Sequence, residues 1–319
     1  MAGVRRVLRW LGIVLALLLA AAVVTAFVPL SRSGLDVSAP VPLTTPEAAR
    51  AAVAGQVAAE EGVKAQCHSR LVEPAAEPKG VIVLLHGLGT CPAQMAALAA
   101  VLADDGYVVY VPLLPEHGQI GGDGGALNGL TAERLRAFGD RTVDIARGWG
   151  VPVSVLGISA GGSVAAWIGQ HRSDVDVAVV LSPALGFGRL PSFVTTGAMN
   201  LFGRLPSISF PAGTKLPQTY GGFATRPVAE TFNFGRSLIE NAGKTPAAAR
   251  RVVMVMNEHD DSISSDLTLA LAGRMGAEVQ ALPAALRIPS DAIDPQQPGA
   301  RIDASYPLLV TLVEDLAVS

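Results

Sequence analysis

Ser159 stands between two glycines in Gly157-Ile158-Ser159-Ala160-Gly161, where the apolar run that begins at Val153 stops abruptly. A serine hydroxyl is a weak nucleophile until a neighbouring base takes its proton. A strand–Gly-x-Ser-x-Gly–helix turn is so sharp that the side chains two before and two after must be tiny, and it lifts the serine above the sheet edge. The helix that follows would aim its dipole, and the free N–H of Ala160, at a developing oxyanion. The plainer alternative is a glycine-rich turn that happens to contain a serine. Two other strand ends carry polar groups that could act with Ser159: the His86-Gly87-Leu88 turn, and Asp260 beyond the run Arg251–Asn257. Sites in open parallel sheets form at the carboxyl ends of strands. Asp260 could instead be a helix N-cap, a common role for aspartate before an apolar run.

These residues need a sheet to hold them, and the pattern supplies one. Apolar runs at Val81–Gly87, Tyr107–Leu114, Val153–Ile158, Asp176–Pro183 and Arg251–Asn257 alternate with helical stretches near Ala93–Asp104, Ala132–Arg147 and Ala160–His171. Near-continuous Val/Leu/Ile runs suit strands covered on both faces, so the expected fold is α/β, a mostly parallel central sheet with helices on both sides. Residues 47–61 read as a further helix, and "AEVQALPA" (Ala277–Ala284) as the last strand. One stretch, about 185–249, is too long for a single crossover and holds half of the aromatic residues, among them Phe193, Phe202, Phe210, Tyr220, Phe223 and Phe232. It reads as a small cap inserted in domain 47–319, or as extra helices packed on it.

From about Cys67 onward the sequence resembles the α/β-hydrolase family. "LLHGLG" is similar to that family's His-Gly segment after its third strand, "VPLLPEHG" to the loop after its fourth, and "VMNEHDDSI" to its acid loop. Within the family the pattern is most similar to exported bacterial serine esterases and to monoglyceride-lipase-like or aminopeptidase-like hydrolases. The resemblance implies Ser159 as nucleophile, the N–H groups of Ala160 and Leu88 as oxyanion donors, and Asp260 as the acid with Ile263 as its apolar partner. Asp261 is the second choice for the acid. His86 would brace the oxyanion turn, and His117 would shape its loop.

The family order is serine, acid, then histidine. The histidines here are His68, His86, His117, His171 and His259, and none follows Asp260. Where a Pro-His-Asp would be expected, the chain has Pro289-Ser290-Asp291, so Ser290 occupies the position of the base. His117 or His259 could substitute. Asp291 could polarise a water, although a carboxyl with an ordinary pKa near 4 is a weak base at neutral pH.

The remaining features bound location and partners. The chain has 319 residues and a formal net charge of −3, with no basic patch of the kind nucleic-acid binding requires. "GGDGG" lacks the Lys-Ser/Thr of a phosphate loop, no Cys/His grouping suggests a metal, and no cofactor is expected. Residues 10–30 contain no charged side chain and are long enough to cross a bilayer, while Arg5, Arg6 and Arg9 lie in the basic stub 1–9. The positive-inside tendency then leaves the N-terminus in the cytoplasm and exports the rest, with 31–46 as a linker off the membrane. A cleaved signal peptide is the other reading of the same segment. In an exported domain Cys67 and Cys91 could form a disulfide, or remain two small unpaired thiols. Two functions fit: a membrane-anchored serine hydrolase of carboxylic esters with an altered triad, or a non-catalytic protein that keeps the pocket and binds an acyl or lipid-like small molecule.

Overall fold

The computed structural model describes residues 2–122, 124–211, 216–244 and 246–316. In chain order the helices and strands are α1 (Ala2–Phe27), α2 (Pro46–Ala59), β1 (Arg70–Val72), β2 (Val81–Leu85), α3 (Ala96–Asp104), β3 (Val108–Val111), α4 (Ala132–Ala146), β4 (Val153–Ile158), α5 (Ala160–His171) and β5 (Val177–Leu181). They continue with α6 (Ser192–Phe202), β6 (Ser209–Pro211), β7 (Gly222–Ala224), α7 (Thr225–Asn241), β8 (Arg251–Asn257), α8 (Ser265–Met275), β9 (Glu278–Leu282) and α9 (Ile302–Glu314).

Seven strands form one sheet in the order β1-β3-β2-β4-β5-β8-β9. Only β1 runs antiparallel; the others pair in parallel. Every residue of β2, β4 and β5 is buried, because alternate side chains enter two separate cores. Val83, Val155 and Val180 pack under α4, α5 and α7, whereas Ile82, Leu156 and Val179 pack under α3 and α9. This is why the strands read as unbroken apolar runs rather than alternating ones. The short strand β1 and the hairpin β6–β7 have only three residues per strand, too few for a period to register. Between β5 and β8 the chain forms α6, that hairpin and α7, within the stretch read as an insertion.

The N-terminal segment differs from its expectation in one respect. Residues 31–45 lack regular structure, as a Ser/Pro/Thr-rich stretch should, yet they lie against the domain. Leu35 is buried and its carbonyl accepts from the Trp167 indole at 2.6 Å. The Ser38 hydroxyl donates to Asp140 at 2.5 Å, and the Val41 N–H donates to Asp144 at 3.0 Å. Composition announces irregular backbone, but not whether that backbone has acceptors waiting on another helix. The fully buried Arg172 guanidinium holds Asp140 and Asp144 in place for this contact. The apolar helix α1 itself spans 26 residues and ends at Phe27 rather than Leu30.

The cysteines are joined. Cys67 and Cys91 form a disulfide, buried beside Val63 and Leu113. It ties the segment before β1 to the turn that follows β2.

Candidate active site

The turn at Ser159 has the sharpness that its glycines imply. Ser159 has φ 56° and ψ −116°, a conformation that costs a non-glycine residue energy and needs surrounding structure to enforce it. A Cβ on Gly157 would stand 2.1 Å from the Gly161 carbonyl oxygen, and one on Gly161 would stand 2.2 Å from the Leu85 carbonyl oxygen. No side chain fits at either place. The backbone around the serine is pinned: Ser159 N–H donates to Leu181 O at 3.1 Å, and its carbonyl accepts from Ser163 and Ala184. The Gly161 N–H donates to His86 O at 3.1 Å, which fastens the elbow to the turn after β2. The serine is half-buried, and its hydroxyl makes no hydrogen bond among the described residues.

The turn after β2 is braced from three sides. A Cβ on Gly87 would lie 3.6 Å from the Ser159 Cβ, so this turn passes directly over the serine. His86 is fully buried, with Nε2 accepting from Leu114 N–H at 3.0 Å and Nδ1 facing the Gly87 carbonyl at 3.0 Å. Gln94 accepts from the Gly87 N–H at 2.9 Å and from the Thr90 hydroxyl at 2.8 Å, and donates to Asp291 at 2.7 Å. Asp291 accepts in addition from the Ile293 and Asp294 N–H groups. Its carboxylate is therefore committed to the scaffold, and burial raises its pKa above the usual carboxylate range. Within the bracing network, the N–H groups of Leu88 and Ala160 have no partner among the described residues.

The His117 ring is buried, edge-on to His86 at 5.2 Å between centroids. Nδ1 donates to the Pro115 carbonyl at 2.8 Å and Nε2 accepts from the Gly89 N–H at 3.4 Å. Burial depresses its pKa to about 4. His86 is pushed well below its ordinary value, first by burial and then by the neighbouring His117. Both rings are neutral props of the loops around Ser159, with no nitrogen left over.

These depressed values have a sign. In the unfolded chain both imidazoles protonate near pH 6.5. The folded chain keeps them neutral, so their contribution is intact above that pH and is lost as pH falls below 6.5, for His117 down to about 4. Stability should drop by about 1.4 kcal/mol per pH unit for each imidazole over that window. Urea midpoints measured at pH 7.5 and 4.5 check this, and His117→Asn should make the decline shallower by the share of one proton.

The two aspartates of the loop after β8 have different surroundings. Asp261 is exposed and paired with the exposed Arg189. Asp260 turns the other way, and its Oδ1 accepts from Ser262 N–H at 2.9 Å, from the Ser262 hydroxyl at 2.5 Å and from the Ser290 hydroxyl at 2.9 Å. It does not cap the next helix; Ser264 does, accepting from Leu267 N–H. Ile263 pairs with Phe187 in a short antiparallel bridge, joining this loop to the start of the insertion. Ser290 and Asp260 are thus brought together across the ends of two neighbouring strands. His259 is exposed, and its ring has no hydrogen-bond partner among the described residues. The bracing roles of Gln94 and Ser262 had no motif to announce them. Both act through contacts that depend on how the turns fold. Among the described residues there is no cluster of His, Cys, Asp and Glu arranged to hold a metal ion.

A seven-stranded, mostly parallel sheet with a sharp serine turn after β4 and helices on both faces is the α/β-hydrolase fold. Residues 76–226 match the family model described as serine aminopeptidase, S33. That segment contains Ser159 and the His86–Leu88 turn, whereas Asp260 and Ser290 lie beyond it. Among solved structures, the chain is similar to one reported for the metagenome-derived lipolytic enzymes LipS and LipT, at 14% identity and a TM-score of 0.54. That match covers 69% of this chain and 87% of the other. The monoacylglycerol lipase of Paleococcus ferrophilus matches at 18% identity, 67% and 87% coverage and a TM-score of 0.52. A soluble variant of monoglyceride lipase from Saccharomyces cerevisiae matches at 14% identity, 67% and 81% coverage and a TM-score of 0.51. At these identities the likeness is one of fold. No curated protein matches the chain in sequence.

Proposed function

We propose that this protein is a membrane-anchored serine hydrolase of carboxylic esters, working with Ser159 and Asp260 but without the usual triad histidine. The observation that carries the reading is the enforced conformation of Ser159, φ 56°, with a free hydroxyl beneath a braced turn. Strain of this kind persists only where the surroundings over-determine it. In the reaction, Ser159 Oγ attacks the ester carbonyl carbon, and the carbonyl oxygen takes up the negative charge. The unpartnered Leu88 and Ala160 N–H groups receive that charge. The hydroxyl proton passes to water, since His86 and His117 are internally hydrogen-bonded and neutral. That water returns a proton to the departing alkoxide, so the alcohol leaves and the acyl group stays on Ser159 Oγ; a second water then attacks the acyl carbon, releasing the acid and restoring the Ser159 hydroxyl. Oxyanion stabilisation and binding alone leave about 10³–10⁴-fold acceleration over water when a triad member is missing. The lipolytic structural neighbours agree with an acyl ester as substrate.

The anchor belongs to the same reading. Arg5, Arg6 and Arg9 precede the apolar stretch, and an 18-residue window within the helix Gly3–Phe27 has a mean hydropathy of 2.5. The disulfide suits an oxidising compartment, on the outer side of the membrane. One observation favours the alternative of a non-catalytic acyl-binding protein: the Ser290–Asp260 hydrogen bond leaves the acid without a base to orient. Hydrolysis of short-chain p-nitrophenyl esters separates the two. The enzyme reading expects slow turnover above the water rate that Ser159→Ala removes. Turnover indistinguishable between the two proteins overturns it.

A further inference from the structure

The insertion carries a surface that ester chemistry does not use. Beyond α1, exposed large apolar side chains concentrate in one short stretch: Leu190, Phe193, Val194, Leu205, Ile208 and Phe210, with Phe193 77% exposed. A monomeric soluble domain rarely shows such a cluster unless something covers it. The same stretch is one-sided in charge. From Val177 to Ala229 there is no aspartate or glutamate, while Arg189, Arg204, Lys215 and Arg226 are present.

The occupant is indicated by what lies next to this surface. The end of α1 is stitched to α6. Asn200 donates from its amide to Ala26 O at 2.8 Å and accepts from Leu30 N–H at 3.3 Å. Arg204 donates to Val28 O at 2.8 Å and Pro29 O at 2.7 Å. Two glycines allow the close approach: a Cβ on Gly197 would meet Ala26 Cβ at 3.6 Å, and one on Gly203 would meet the Leu30 side chain at 2.7 Å. The α1 helix is about 39 Å long at 1.5 Å per residue, enough to cross a hydrocarbon core of about 30 Å. Its last turn then sits at the outer boundary of the bilayer, and α6 is held at that same level. No slack chain intervenes, because residues 31–46 are themselves fixed to α4 and α5.

We propose that α6 and the turn into β6 are seated in the outer surface of an anionic phospholipid bilayer, the one that α1 crosses, and that Asn200 and Arg204 latch them there. This rests on the anchor in the proposed function and adds to it a docked cap, with Phe193 and Ile208 in the acyl–headgroup boundary and the arginines at phosphate level.

The test uses the full chain in vesicles of phosphatidylcholine and phosphatidylglycerol, 3:1. The photo-crosslinking residue p-benzoylphenylalanine replaces Phe193 in one variant. In another it replaces Val101 on α3, on the sheet face opposite α7. The expected result is a phospholipid adduct at position 193 at least fivefold above that at 101, reduced when phosphatidylglycerol is omitted. Breaking the latch with Asn200→Leu and Arg204→Ala should lower the adduct at 193 while the protein still resists alkaline carbonate extraction. Equal yields at 193 and 101 in protein that resists extraction overturn the docked cap alone. Adducts at 193 only with a second protein chain overturn it in favour of a protein interface. Release by carbonate overturns the anchor, and the docking with it.

Discussion

Ser290→His is expected to raise ester hydrolysis by about 10²–10⁴-fold, the usual yield of a positioned general base. The place is prepared for it. Ser290 already reaches Asp260 Oδ1 at 2.9 Å, and the Ser262 N–H and hydroxyl donate to the same oxygen. An imidazole there would donate Nδ1–H to Asp260 and take the Ser159 proton on Nε2. Asp260 would stabilise the imidazolium that results. The gain should vanish when Ser159→Ala is added and fall sharply with Asp260→Asn. Rates with p-nitrophenyl butyrate across these variants supply the measurement. If the unsubstituted protein already turns over quickly and His259→Ala abolishes that, a substitute base exists and the defect does not lie at Ser290. His117→Ala has a different expectation. It should lower stability and disturb the turn at Gly89, because the ring is a buried prop with both nitrogens engaged.

The second large effect concerns the disulfide. Cys67 and Cys91 are separated by 24 residues, and closing a loop of that length constrains the unfolded chain by about 3 kcal/mol in the entropy model. Reduction, or Cys67→Ser with Cys91→Ser, should lower the unfolding free energy by about that amount. The bridge lies next to Gly118 and Leu113, in the loop that carries His117. The reduced protein should therefore loosen first around the His86–His117 pair. Hydrogen exchange at Gly89 and His117 amides, compared with β4 amides, would register this. An unchanged urea midpoint on reduction would show that the bridge adds nothing to stability.

What the sequence disclosed follows from the range of each interaction. The elbow is legible because its requirement is local: two glycines must flank the serine, and their absent side chains are visible in the letters. The position of Asp260 on the loop after β8 is legible because the run Arg251–Asn257 reads as a strand that ends just before it. The parallel sheet is legible because both of its faces are covered, which removes polar residues from whole strands. The burial of His117 and the partners of Asp291 were hidden for the opposite reason. A glycine-rich loop suggests exposure, yet the fold closes it under Tyr220, whose hydroxyl accepts from Gln119 N–H. Asp291 stands next to Ser290 in the chain, but its carboxylate faces Gln94, on the far side of the sheet order. Residues 31–46 looked detached because nothing in a Ser/Pro/Thr-rich stretch reports that Trp167 lies 132 positions away with an indole N–H to donate to Leu35.

The central claim is that Ser159 is built as a nucleophile and lacks only its base. The most direct measurement is the rate and position of covalent labelling by a fluorophosphonate, followed by intact mass and peptide mapping. A single adduct on Ser159 is predicted, forming slowly in the unsubstituted protein and at least a hundredfold faster in Ser290→His. Rapid stoichiometric labelling of the unsubstituted protein, or labelling at a residue other than Ser159, would contradict the account.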